Sequence, residues 1–380
     1  MGLDLDRLNG LDAPLPRVSV IVRSYNRLHA LIELLTALLA QDHDSFEIVV
    51  VEQSTQRAPE DVARLDALAR DPRVRILTFR PLGGPGARNA GVRAARGELF
   101  VFIDDDDLPS GRDWLRRHEA NFTGPGGAKC LGVTGQFIDN GVEKPYVNPD
   151  KARRNVLSFN VLKWQRVYAR TDTRKQVESL MGGNVAIPRR TLERFGLWDE
   201  CTPIEDEPSL AYRINATKGD DEYLLFDPGV KMIRRLDVPG GMAKRTMSGP
   251  RYAKRVFTFL HNIVGHYFPA RFVLLYPAYI YFVAYHCIEW ICSDSKKHRT
   301  LPSRIWATSG IILSIVPLWL FWLGQWSWGR LRNGKPTRFA ALEPLPILVP
   351  DLGVPMAPLA VPASSSSASA RMLAAPQTDA

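Results

Sequence analysis

The strongest constraint on this chain is an alternation. Between Arg17 and Asp107, four apolar, β-branched or aromatic runs occur: RVSVIV, FEIVVVEQST, RVRILTF and ELFVFIDDDD. Three helical stretches separate them. LHALIELLTALLAQ repeats Leu near a period of 3.6, DVARLDALAR is amphipathic, and GGPGARNAGVRAARG is a glycine-rich turn opening a helix. Near-continuous apolar strands are buried on both faces, and strand–helix repeats predict a parallel sheet covered by helices on both sides. The expected fold class is α/β: a Rossmann-like α/β/α sandwich with a mostly parallel central sheet. Ligands of such sheets bind at the carboxyl ends of the strands, where Glu52, Arg88 and the run Asp104–Asp107 would gather.

That acid run, VFIDDDDLP, is the sharpest chemical signal. Adjacent carboxylates at a buried strand end repel one another unless positive charge sits between them. A hard divalent cation takes oxygen ligands and binds phosphate together with one or two carboxylates. The competing readings are a solvated acidic loop and a calcium loop. The calcium loop lacks its sixth-position glycine, because Pro109 stands there. GGPGARNAG (residues 83–91) is neither a Walker loop nor a G-x-G-x-x-G turn. It reads equally as a tight turn or as a phosphate approach in which Arg88 pairs with oxygens. In IEDEPSLAYR (204–213), Glu205, Asp206 and Glu207 either complement a helix dipole or supply a general base.

Charge and composition narrow the partners. The chain carries +9 over 380 residues, and Arg251–Arg338 alone holds twelve Lys/Arg against two acids. Basic residues interleaved with Tyr, Trp and Phe suit nucleic acid or an anionic membrane surface. The apolar runs Phe272–Ile288 and Ile305–Gly329 favour the membrane, and no nucleic-acid partner is expected. Two transmembrane helices, one span, a monotopic arrangement and a soluble helical subdomain all compete. The first two put basic segments on the outer side, against the positive-inside rule. The four cysteines form no C-x-x-C pair, which speaks against zinc and suits reduced thiols. The first sixteen residues carry acids and no apolar core, and are not expected to act as a signal peptide.

Taken in order, VSVIVRSYNR, EIVVVEQST, GARNAGVRAARGELFVFIDDDD, GGNVAIPRR, GLWDE and EDEPSLAYR resemble the family 2 glycosyltransferases of the GT-A fold, over roughly residues 17 to 241. The resemblance implies an inverting transfer from a nucleotide-diphosphate sugar donor to a hydroxyl of a glycan or lipid-linked acceptor. It assigns Tyr25, Asn26 and Glu52 to the nucleotide and Arg88 to its neighbourhood. Asp104 and Asp106 become the D-x-D acids, with Asp105 between them on the nucleotide-sugar side. Asp104, Asp106 and Asp107 form the metal set, with Mn2+ or Mg2+ as cofactor. Gly183 and Asn184 flank the donor sugar and acceptor, and Asp206, with Glu205, is the catalytic base. Two departures stand out. Gln53 replaces the second of two paired acids, and RRLDVPGG carries Arg235 where a His is expected. Arg cannot ligate a metal but can neutralise a diphosphate, so metal dependence is expected to weaken. A catalytically degenerate nucleotide-sugar-binding or assembly protein is the alternative.

The expected organisation is an N-terminal extension (1–16), a catalytic domain (17–250), a basic hydrophobic helical region (251–338) and a Pro/Ala/Ser-rich disordered tail (339–380). The expected location is the cytoplasmic face of the inner membrane.

Overall fold

The structure is a computed structural model. It describes residues 17–142, 172–200 and 206–238, with five isolated positions between 302 and 324. The expected extension 1–16, Glu205, and nearly all of the regions 251–338 and 339–380 lie outside the described residues. So do the apolar runs Phe272–Ile288 and Ile305–Gly329, apart from those isolated positions. No helix among the described residues is long and apolar enough to cross a membrane.

The strands are β1 (Val18–Ser24), β2 (Phe46–Glu52), β3 (Val74–Thr78), β4 (Leu99–Asp104), β5 (Asp107–Pro109), β6 (Cys130–Asp139), β7 (Lys175–Val177), β8 (Asn184–Pro188) and β9 (Tyr223–Arg234). The helices are α1 (Leu28–Leu39), α2 (Pro59–Leu68), α3 (Gly83–Ala94), α4 (Trp114–Thr123), α5 (Arg189–Phe195) and α6 (Asp206–Thr217). All nine strands form one sheet in the order β3-β2-β1-β4-β8-β6-β9-β5, with β7 on β9.

The period-2 pattern of β1, β2 and β4 places apolar residues on both faces. Val20, Val22, Val50, Val101 and Ile103 pack with the Leu stripe of α1. Ile21, Val49, Phe100 and Phe102 pack with Val92 of α3, Leu192 of α5 and Leu210 and Ile214 of α6. Each such fully buried side chain contributes about 1.5–3 kcal/mol. Gly91 lets α3 lie close on β1, since a Cβ there would meet Ile21 Cγ2 at 2.5 Å.

The expectation of a mostly parallel sheet holds for β3-β2-β1-β4 and not for the rest. β8 runs antiparallel to β4 and β6, and β5 and β7 run antiparallel to β9, while β6 and β9 are parallel. The sheet is mixed. The reversal has a use: antiparallel pairing sets Asn184, the first residue of β8, opposite Ile103 near the end of β4. The loop before β8 therefore arrives beside the acid run. Cys130 is a buried free thiol, and the other three cysteines lie outside the described residues.

Candidate active site

Parallel register brings the site together. It pairs Ser24 with Glu52 and Arg23 with Asp104, so the carboxyl ends of β1, β2 and β4 meet at one edge. β4 then turns sharply into β5, and the four carboxylates fall on that turn.

Each acid has a different environment. Asp104 accepts two hydrogen bonds from Arg23, at 2.8 Å from Nε and 3.2 Å from Nη2. Arg88 Nη2 lies 3.9 Å from the same carboxylate. Burial alone would raise this carboxyl, but the charge and hydrogen bonds of Arg23, with Arg88 and Arg27 behind, hold it well below the usual carboxylate range. Asp105 turns toward the protein. Its carboxylate accepts from Ser24 Oγ at 2.9 Å and the Tyr25 backbone N–H at 3.3 Å, and pairs with Arg27 Nη1 at 3.0 Å. Burial, partly offset by Arg27, pushes it up to about 6. Asp106 pairs with the same Arg27 nitrogen at 2.6 Å. Burial and the charge of Asp104 raise its pKa. Asp107 is 3% exposed, and its Oδ1 accepts no hydrogen bond. Burial, then the charges of Asp104 and Asp106, push it up to about 9.

One oxygen each from Asp104, Asp106 and Asp107 can be chosen within 4.8 Å of one another. Gly183 faces this group without a side chain: a Cβ there would lie 3.2 Å from Asp107 Oδ2 and 3.5 Å from Asp104 Oδ2. Hard oxygen donors, a buried carboxylate oxygen with no donor, and a bare glycine wall suit a small divalent cation with a ligand beside it.

Arg88 is a cross-brace. It is 1% exposed, its guanidinium lies 4.7 Å from the Trp198 ring centroid, and its Nη2 pairs with Glu207 of α6 at 3.0 Å. The neighbouring Asn89 amide holds the same segment. It accepts from the Trp198 N–H at 2.9 Å and donates to the Trp198 carbonyl at 2.9 Å and to Glu200 at 2.8 Å. The start of α6 is thus tied to the acid run through α3.

The other expected site residues divide. Tyr25 is exposed beside the acid turn. Asn26, at φ 55°, donates its backbone N–H to Ser54 Oγ and accepts from the N–H groups of Thr55 and Gln56, joining the loops after β1 and β2. Glu52 is buried, accepts from the Ser54 N–H and pairs with Arg57. Gln53 accepts from the Leu82 N–H at 2.7 Å, so the amide that replaces an acid steadies the entry to α3. Asn184 is fully buried and turned into the core. Its Oδ1 accepts from Trp114 Nε1 and lies 3.1 Å from His118 Nε2, while its Nδ2 donates to the Gln136 and Val230 carbonyls. Arg235 grips the acid turn through the carbonyl of Asp106 at 3.0 Å and pairs with Glu33. Asp206 begins α6, and its carboxylate lies outside what the structure describes. Sequence reading gave no role to Arg23, Arg27 or Trp198, and it named Glu207 as a helix-dipole acid or general base rather than as the partner of Arg88. The signal for the first two was present: cations flank SYN where β1 ends beside an acid-terminated strand.

The protein-family model described as glycosyl transferase family 2 matches residues 19–182, the stretch that contains the acid turn, Arg88 and nearly all of the parallel half-sheet. That stretch of the chain matches the family 2 glycosyltransferases. Curated relatives align with shorter stretches of the chain. The succinoglycan biosynthesis protein ExoO of Rhizobium meliloti is 38% identical over 104 residues, which is 27% of this chain and 28% of that protein. The uncharacterized glycosyltransferase EpsJ of Bacillus subtilis is 35% identical over 105 residues, 28% of this chain and 30% of its own length. An uncharacterized glycosyltransferase of Rickettsia felis is 34% identical over 93 residues, 24% of this chain and 15% of its own. Each match thus spans less than a third of the relative. Among solved structures, this chain is similar to the mannosyltransferase PcManGT from Pyrobaculum calidifontis in complex with GDP-Man and Mn2+. The TM-score is 0.49 and the identity 21%, over 88% of each chain. It is also similar to S. aureus TarS 1–349 in complex with UDP-GlcNAc, with a TM-score of 0.45 and 16% identity over 66% of each chain.

Proposed function

We propose that the chain is an inverting, metal-dependent glycosyltransferase. It moves a sugar from a nucleotide-diphosphate donor to a hydroxyl of a glycan or lipid-linked acceptor, in the synthesis of a cell-surface polysaccharide or glycolipid. The observation that carries this reading is the three-carboxylate group at the sheet's carboxyl edge, which lies within the family-matched region and is set against the bare wall of Gly183. The name of the ExoO relative, a succinoglycan biosynthesis protein, supports the polysaccharide setting. The basic, apolar C-terminal region supports work at the cytoplasmic face of a membrane, on an anionic surface.

Asp104, Asp106 and Asp107 would hold Mn2+ or Mg2+, which supplies positive charge against the departing diphosphate. The acceptor oxygen forms a bond to the anomeric carbon while the bond from that carbon to the diphosphate oxygen breaks. Attack comes from the face opposite the nucleotide. Asp206, at the start of α6, takes the hydroxyl proton. Arg88, paired with Glu207 and close to Asp104, keeps the start of α6 in register with the donor side. Gly183 leaves room for the sugar.

Asp106→Ala tests the reading. The variant should keep its circular dichroism spectrum and lose Mn2+-dependent transfer of labelled sugar. Unchanged turnover would exclude Asp106 from the chemistry.

A further inference from the structure

The acid run already has counter-ions of its own. Arg23, next to last in β1, lies directly opposite Asp104 and covers both of its oxygens. Arg27, immediately before α1, gives that helix no side-chain cap and sends its guanidinium to Asp105 and Asp106 instead. Two of the three carboxylates grouped for a cation are therefore engaged by guanidinium, while Oδ1 of Asp107 accepts nothing. A divalent cation drawing on Asp104 and Asp106 must share or replace those pairs. Both arginines spring from backbone fixed in the sheet or at a helix start, so a displaced guanidinium stays beside the same edge. A planar guanidinium binds phosphate oxygens in bidentate fashion as readily as it binds carboxylate.

We propose that Arg23 and Arg27 are built-in counter-cations of the acid run, displaced from Asp104 and Asp106 by the divalent metal and then turned onto the donor diphosphate. The exchange rests on the glycosyltransferase reading above. It accounts for four adjacent carboxylates on one strand-end turn. It also orders binding, with the metal releasing the positive groups that the nucleotide uses.

The test measures binding rather than turnover. Free Mn2+ in solution, read by electron paramagnetic resonance, gives the metal affinity of the full-length wild type, Arg23→Gln and Arg27→Gln without nucleotide. Removing a competing charge should tighten Mn2+ binding about tenfold in each variant. With Mn2+ saturating, calorimetry with UDP and with GDP should show about tenfold weaker nucleotide binding in Arg27→Gln. A fold defect would weaken both ligands, so opposite signs identify the exchange. On wild type alone, the Nε–H resonances of Arg23 and Arg27 should move and exchange faster with water when Mg2+ is added. Mn2+ affinity that is unchanged or lower in well-folded variants overturns the exchange, as do guanidinium signals unmoved at saturating Mg2+. Unchanged nucleotide affinity overturns its diphosphate half. If wild type binds no Mn2+, the metal-dependent reading falls and the exchange with it.

Discussion

Burial and the neighbouring carboxylates push Asp107 up to about 9, from an ordinary value of 3.8. Folding therefore takes up a proton at Asp107 across that interval. The stability tied to this group is fully present below about pH 4 and is lost as pH rises toward about 9. Asp107→Asn removes the loss. Without metal, thermal unfolding at about pH 8 should show the variant more stable by about 1–2 kcal/mol, with the gain vanishing near pH 4. Mn2+ should raise the melting temperature of wild type and not of the variant. A gain that does not change with pH would contradict the burial cost. Asn184→Ala should act in the opposite direction. It strips partners from Trp114 Nε1 and from the Gln136 and Val230 carbonyls, and urea unfolding should register a loss of about 2–4 kcal/mol. Asn184 also marks a limit of reading residues singly. GGN was legible as a motif, but a string of letters does not say which way a side chain turns at a strand end. Gly183 faces the acids, and the amide beside it became a core node.

At the scale of elements, the parallel half was legible because each piece obeys its own period. β1, α1, β2, α2, β3, α3 and β4 fall within a few residues of the runs that announce them. The reversal at β8 was not legible. Strand direction there depends on pairing between β4 and β8, more than eighty residues apart, and no local pattern encodes that choice. The acid turn was legible as chemistry and only half legible as electrostatics. Its four charges were evident, whereas Arg23, in β1, and Arg27, just before α1, are far away in sequence and are brought alongside by the register of β1 with β4. The seating of α3 gives a test at this scale. Gly91→Ala drives a methyl into Ile21 and Val51. It should cost about 1–3 kcal/mol in urea unfolding. Because α3 carries Arg88, it should weaken donor binding as well. Wild-type stability in this variant would mean that α3 does not rest on β1 at Gly91.

For the whole molecule, charge is divided between two regions. The sheet domain gathers acids at one edge, while Arg251–Arg338 gathers twelve cations among aromatic and apolar residues. If that region meets a membrane, the full-length chain should sediment with vesicles containing phosphatidylglycerol and much less with neutral phosphatidylcholine. The difference should shrink as salt is raised. Equal or stronger binding to oligonucleotides, with a steep salt dependence, would point to nucleic acid instead.

The acid turn is proposed to bind a nucleotide-sugar diphosphate through a cation. The direct measurement is calorimetry of wild type and Asp106→Ala with a panel of nucleotide sugars, with and without Mn2+. One donor should bind wild type tightly only when Mn2+ is present, and Asp106→Ala should lose this binding while remaining folded. Donor binding that ignores both the metal and Asp106, or no donor binding by folded wild type, would contradict the proposal.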